Sequence, residues 1–136
     1  MKNSKVLKVI LFISGLVAIG VGAAILVAPV SFYASSGIGL NGNVSLLNEI
    51  RASGGMILVV GLVIMSGVFV ARLTYSAIII SMLLYLTYGL SRVLSIIIDG
   101  MPVDELVQVV ILEIVIGLVC AYAYAFIKYR VNNSLS

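Results

Sequence analysis

Residues 75–98 read YSAIIISMLLYLTYGLSRVLSIII, with Arg92 as the one charge. At 1.5 Å per residue a helix of this length spans about 36 Å. The hydrocarbon core of a bilayer is roughly 30 Å thick, so the stretch reads as a membrane-crossing helix. Three further runs have the same character, at 9–28, 51–71 and 105–127. The expected fold is all-α: an integral membrane four-helix bundle, one transmembrane domain over residues 1–136.

Composition excludes the alternatives. Hydrophobic residues make up 62% of the 136, and charged residues 10%, against roughly 25% charged in an average soluble domain. Each crossing takes about 20 residues, which leaves no room for a sizeable soluble domain. There is no His and a single Cys, Cys120. A Ser-His-Asp triad, a His metal site, an intrachain disulfide and a thiolate cluster are therefore excluded. No catalytic residue and no metal ligand is assigned. Cys120 reads as a small packing residue. The first run follows Lys2, Lys5 and Lys8 but exceeds a signal-peptide core of about 7–15 residues, so it is expected to be a retained helix.

The links between runs differ. Residues 29–48 form a long linker with turn chemistry at Ser35-Ser36-Gly37 and Asn41-Gly42-Asn43. Leu46 and Leu47 could open a short interfacial turn. Arg72-Leu73-Thr74 is a tight link that makes the second and third helices antiparallel neighbours. Asp99-Gly100-Met101-Pro102 is a turn, and Asp104-Glu105 then sits where acids favour a helix start. The tail after Tyr129 is expected to fray. Lys2, Lys5, Lys8, Arg72, Lys128 and Arg130 share one side, and the acids fall in the other half. By the positive-inside rule both termini are expected in the cytoplasm. Six scattered charges are no nucleic-acid surface. Tyr75, Tyr122, Tyr124 and Tyr129 include candidate interface anchors.

Two charges lie deep. Arg92 is about 10 Å, and Glu113 about 12 Å, from the same end of consecutive antiparallel helices. A central membrane charge costs about 2.5–3.5 kcal/mol on insertion scales, so a pair inside the bundle is the simplest arrangement. Ser81, Tyr85, Tyr88, Arg92, Ser95 and Asp99 share one helical face, opposite Ile79, Leu83, Leu86, Leu90, Val93, Leu94 and Ile97. The first face suits the interior and the second suits lipid. Leu106, Val109, Gly117, Cys120 and Tyr124 share the face of Glu113. Ser14, Ala18 and Gly22 form a small-residue face on the first helix, available for packing within the bundle or for self-association. Gly54, Gly55 and Gly61 point to close backbone contact or a kink. The candidate ligand-binding or ion-pair cluster is Glu49, Arg51, Tyr85, Tyr88, Arg92, Asp99 and Glu113, in the outer half, with Tyr85 and Tyr88 as its floor.

The segment Asn48-Glu49-Ile50-Arg51-Ala52-Ser53-Gly54-Gly55, the pattern Gly89-x-x-Arg92 with Asp99-Gly100-x-Pro102, and Glu113 in the last span resemble the signature of a membrane family, domain of unknown function 4345. Ser53 departs from it, since an aromatic or larger residue is expected there. The resemblance covers nearly the whole chain. It implies a bacterial cytoplasmic (inner) membrane protein, grouped with DoxX-like proteins, and carries no reaction. DoxX-like kinship suggests links to quinones or thiol redox chemistry by fold-level analogy.

Several functions stay open. The leading expectation is a non-enzymatic accessory protein that binds a lipid or small amphiphile, with Arg92 and Arg51 holding an anionic or carbonyl group and Glu113 and Glu49 orienting them. A quinone- or lipid-linked redox enzyme would use Tyr85, Tyr88 and Glu113 for proton transfer. A structural subunit, and a proton or ion pathway, are the others. The bilayer, a lipid or amphiphile, a homo-oligomer and a membrane protein partner are the candidate partners; quinone or lipid is the candidate bound group.

Overall fold

The computed structural model describes the backbone of residues 2–136 and the side chains of 5–136. The Lys2 side chain, part of the orientation expectation, lies outside the described residues. Helix α1 is Lys2–Val27, the short α2 is Pro29–Ala34, α3 is Val44–Phe69, α4 is Thr74–Asp99 and α5 is Asp104–Ser134. A 3-10 turn, Ala71–Leu73, joins α3 to α4. The four long helices are long and apolar enough to cross a membrane.

Several boundaries differ from expectation. Helix α3 begins at Val44 rather than Arg51, because the Asn43 side chain accepts from the Leu46 amide at 3.1 Å and caps the helix early. The linker contains α2, which starts at Pro29, a residue whose fixed φ suits a first helical turn. Helix α5 continues to Ser134 instead of fraying after Tyr129; no Gly or Pro follows Gly117 to stop it.

The links are made by specific bonds. Thr74 Oγ1 donates to the Gly67 carbonyl at 2.8 Å, which folds α4 back against α3. Gly100, at φ +100°, ends α4 in a conformation other residues resist. Asp104 and Glu105 occupy the first turn of α5 as expected.

The bundle is built from two tight pairs, α1 with α3 and α4 with α5. Small residues permit the close approaches. A Cβ on Gly61 would lie 2.7 Å from the Ile19 amide nitrogen of α1. Ala18 and Gly22 also sit against α3, at Gly61 and at Gly54 and Leu58. The small-residue face of α1 is thus used inside the bundle, and the glycines of α3 mark contact. In the second pair Gly117 receives Leu86, and the buried Ser81 Oγ and Cys120 Sγ meet at 3.2 Å. Leu86 therefore packs between helices rather than facing lipid, and Ile79 and Val93 are half-buried. Leu83, Leu90, Leu94 and Ile97 are exposed, as a lipid-facing stripe requires.

The two ends of the bundle differ. At the end bearing both termini, Leu11, Ile64, Ala77, Ile78 and Ala123 form a solid core. Tyr75 and Tyr124 stack there at 5.8 Å, while Tyr122 and Tyr129 are exposed. Toward the opposite end, formed by residues 28–43 and the α4–α5 turn, a smaller cluster of Ala18, Ile25 and Ile57 leaves space beside it. That space is the candidate site.

Candidate functional site

A cavity of about 260 Å³ lies in the half of the bundle away from the termini. All four long helices contribute. Its walls are mainly apolar, including Val21 and Ile25 of α1, Ile57 of α3, Leu84 of α4 and Val109 of α5. The polar groups are Tyr33, Ser36, Ser53, Tyr85, Tyr88, Arg92 and Glu113.

Arg92 and Glu113 face each other across α4 and α5. Arg92 Nε donates to Glu113 Oε2 at 2.9 Å, the one salt bridge found among the described residues. The antiparallel geometry brings together two residues at matched depth, as the sequence expects. The partners differ in exposure, 35% for the Arg92 side chain and 12% for Glu113, so the carboxylate depends more on its partner. The Arg92 guanidinium lies 6.0 Å from the centroid of the Tyr88 ring, at the limit of a cation–π contact. Tyr88 OH and Ser53 Oγ are 3.4 Å apart, a weak link from α4 to α3.

Tyr85 differs from Tyr88. It is buried, and its hydroxyl donates to the Ser14 backbone carbonyl of α1. It closes the floor of the cavity by fastening α4 to α1. Tyr88 lines the same cavity about one turn further along α4.

Three members of the expected cluster do not line the cavity. Glu49 is exposed on α3. Arg51 reaches the end of α1: its Nη1 donates to the Leu26 carbonyl and, at 3.5 Å, to that of Val27. These carbonyls lack partners within their own helix and carry the negative end of its dipole. The close packing of Gly54 against Ile25 and Leu26 sets Arg51, about one turn earlier on α3, beside them. Asp99 accepts from Ser95 Oγ at 3.0 Å at the exposed end of α4. Replacing Arg51 with Met is expected to cost about 1 kcal/mol, the scale of a lost helix-end interaction, in a thermal unfolding assay in detergent.

The linker supplies what sequence reading missed. Phe32 and Tyr33, T-shaped at 5.4 Å between ring centroids, cover the cavity together with Ser36 and Ile38. Burial raises the pKa of the Tyr33 phenol above its ordinary value, and outweighs the opposing effect of the nearby Arg92 charge. The phenol therefore stays protonated at neutral pH and offers an O–H donor. The signal was an aromatic pair directly after Pro29 in a linker otherwise rich in turn residues.

Arg92 also borders a second pocket of about 90 Å³ beneath the α4–α5 turn, lined by Ser95, Gly100 and Pro102 among others. Its side chain stands between the two spaces. Leu106 and Glu113 of the main cavity share α5 with Asp104 and Glu105, but those two acids line neither space.

No curated protein and no solved structure matches the chain. A family model matches residues 6–124, which takes in all the cavity-lining residues named above. The chain belongs to the family described as Domain of unknown function (DUF4345).

Proposed function

We propose that this multi-pass membrane protein is a non-enzymatic binding or accessory protein whose cavity holds a small molecule or the head of a lipid-like amphiphile. The observation that carries the reading is the cavity itself: apolar walls with one charged pair and two phenols near its covered end. Its 260 Å³ is close to the roughly 300 Å³ at which small-molecule pockets begin. An amphiphile would place its head and first carbons inside and leave the rest in lipid.

The packing supplies a way in. Helices α1 and α5 meet at the terminal end, where Leu11 and Ala123 share a core. Beyond that they have little contact, and Val17 and Val21 of α1 and Val109 and Leu112 of α5 line the cavity. A bilayer molecule would enter by that seam. The location that goes with the reading is a bacterial cytoplasmic membrane with both termini inside, and kinship with DoxX-like proteins belongs to the same proposal. A redox role is less well supported. Tyr85, one of its three proton carriers, gives its hydroxyl hydrogen to Ser14.

Ser53 offers a test that leaves the charges in place. Its small side chain lines the cavity, so a larger one there would take up cavity space. Ser53→Phe is expected to fill that space and lower ligand occupancy about tenfold or more, a loss of at least about 1.4 kcal/mol in binding. Native mass spectrometry of gently extracted protein reads occupancy directly. A wild-type protein that emerges empty, or an S53F variant that keeps the same bound species, would overturn the reading.

A further inference from the structure

We infer that the cavity selects an uncharged amphiphile whose head carries carbonyl or ester acceptors, and disfavours an anionic head. The inference rests on the binding reading above and narrows its ligand class. Arg92 and Glu113 are the charged residues among those lining the main cavity, and they are bonded to each other. Arg51, the second cation that could have held an anion, is turned to the α1 carbonyls instead. The site is thus charge-balanced before any ligand arrives.

Charge balance decides between the two head groups. An anion entering this space would place two negative groups around a single guanidinium, in surroundings where repulsion is poorly screened. Breaking the Arg92–Glu113 pair to serve the ligand would leave the more sheltered carboxylate uncompensated. An uncharged acceptor needs neither change. A guanidinium has five N–H donors, and the described contact with Glu113 uses only Nε. The Nη groups, the protonated Tyr33 phenol and the hydroxyls of Tyr88 and Ser53 are donors suited to a neutral oxygen. The apolar walls suit the chain attached to it. An ester-headed lipid and an alkyl quinone share this chemistry.

The test is a competition in native mass spectrometry. Protein in a neutral detergent is offered a monoacylglycerol, an alkyl-benzoquinone and an alkylsulfonate of matched chain length, together and singly. The sulfonate remains anionic throughout. One of the neutral probes is expected to exceed the sulfonate in occupancy by about tenfold or more, and which one leads identifies the head. Glu113→Gln removes the balancing charge, so the sulfonate is expected to gain at least tenfold relative to the neutral probes in that variant. If the sulfonate outcompetes both neutral probes on the wild-type protein, this inference fails while the binding reading survives. If no probe binds the wild-type protein or E113Q, the binding reading itself fails. The wild-type ranking decides the matter alone should E113Q not fold.

Discussion

Replacing Arg92 with Leu is expected to destabilise the solubilised protein by about 3 kcal/mol, near the lower end for breaking a buried ion pair. The cost arises mainly at Glu113, not at Arg92. Glu113 is 12% exposed, and Arg92 Nε is the donor it accepts from at 2.9 Å. Leu removes that donor and leaves a sheltered carboxylate with no partner in apolar surroundings. Glu113→Leu is expected to cost less, because Arg92 is 35% exposed and borders the smaller pocket under the α4–α5 turn. The double variant R92L/E113L replaces the pair with apolar groups and is expected to recover most of the stability, as such replacements often do. The readout is equilibrium unfolding in sodium dodecyl sulfate for the four members of the cycle. Losses in the two single variants that simply add in the double variant would mean that the pair is not coupled. The same double variant bears on function. If it folds like the wild type but no longer takes up the ligand proposed for the cavity, the pair serves binding; if it keeps both stability and cellular role, the pair only fixes helix register.

The parts of this architecture that were legible in the sequence are those set by length, composition and helical period. Residues 75–98 are too long and too apolar for a soluble core, and α4 covers them entirely. The Arg92–Glu113 pair was legible because charge in lipid is costly and because a short turn fixes the relative depth of two helices. Arg51 was misplaced because its neighbourhood is set by the packing of Gly54 against Ile25 and Leu26 of α1, a contact between helices that the hydrophobic period of one helix does not report. The role of Tyr85 was partly legible: the wheel placed it on the inner face, but its acceptor is a backbone carbonyl of α1, which no pattern of side chains reveals. Phe32 and Tyr33 were missed because a linker is read for turns, and its aromatic pair gains meaning only when α2 folds over the cavity. Leu86 was placed in lipid by the wheel of its own helix. The notch that receives it, Gly117, belongs to another.

Gly61→Val is expected to have the second large effect, a loss of about 3 kcal/mol or more, at the top of the range for overpacking a filled interior. Gly61 is buried on α3, where α1 passes so closely that an added Cβ would fall 2.7 Å from the Ile19 amide nitrogen and 3.0 Å from the Ala18 side chain. The first of these is backbone and cannot rotate away. The two helices must separate, and the strain reaches their other close contacts, Gly15 against Met65 and Gly54 against Ile25. Gly is otherwise a poor helix residue, by about 1 kcal/mol relative to Ala, so a glycine that were merely tolerated here would give a more stable protein when replaced. The sign of the change therefore discriminates. Gly20 provides the control: it lies on α1 with open space where its Cβ would be, and Gly20→Ala is expected to be neutral or stabilising by up to about 1 kcal/mol. Thermal unfolding of both variants in the same detergent measures the contrast. Equal stability of G61V and wild type would mean that α1 and α3 do not pack at this distance. Ala18 and Ile25, which help line the cavity, ride on α1, so the separation in G61V is also expected to reshape the cavity and reduce occupancy by the proposed ligand, although Gly61 itself does not line it.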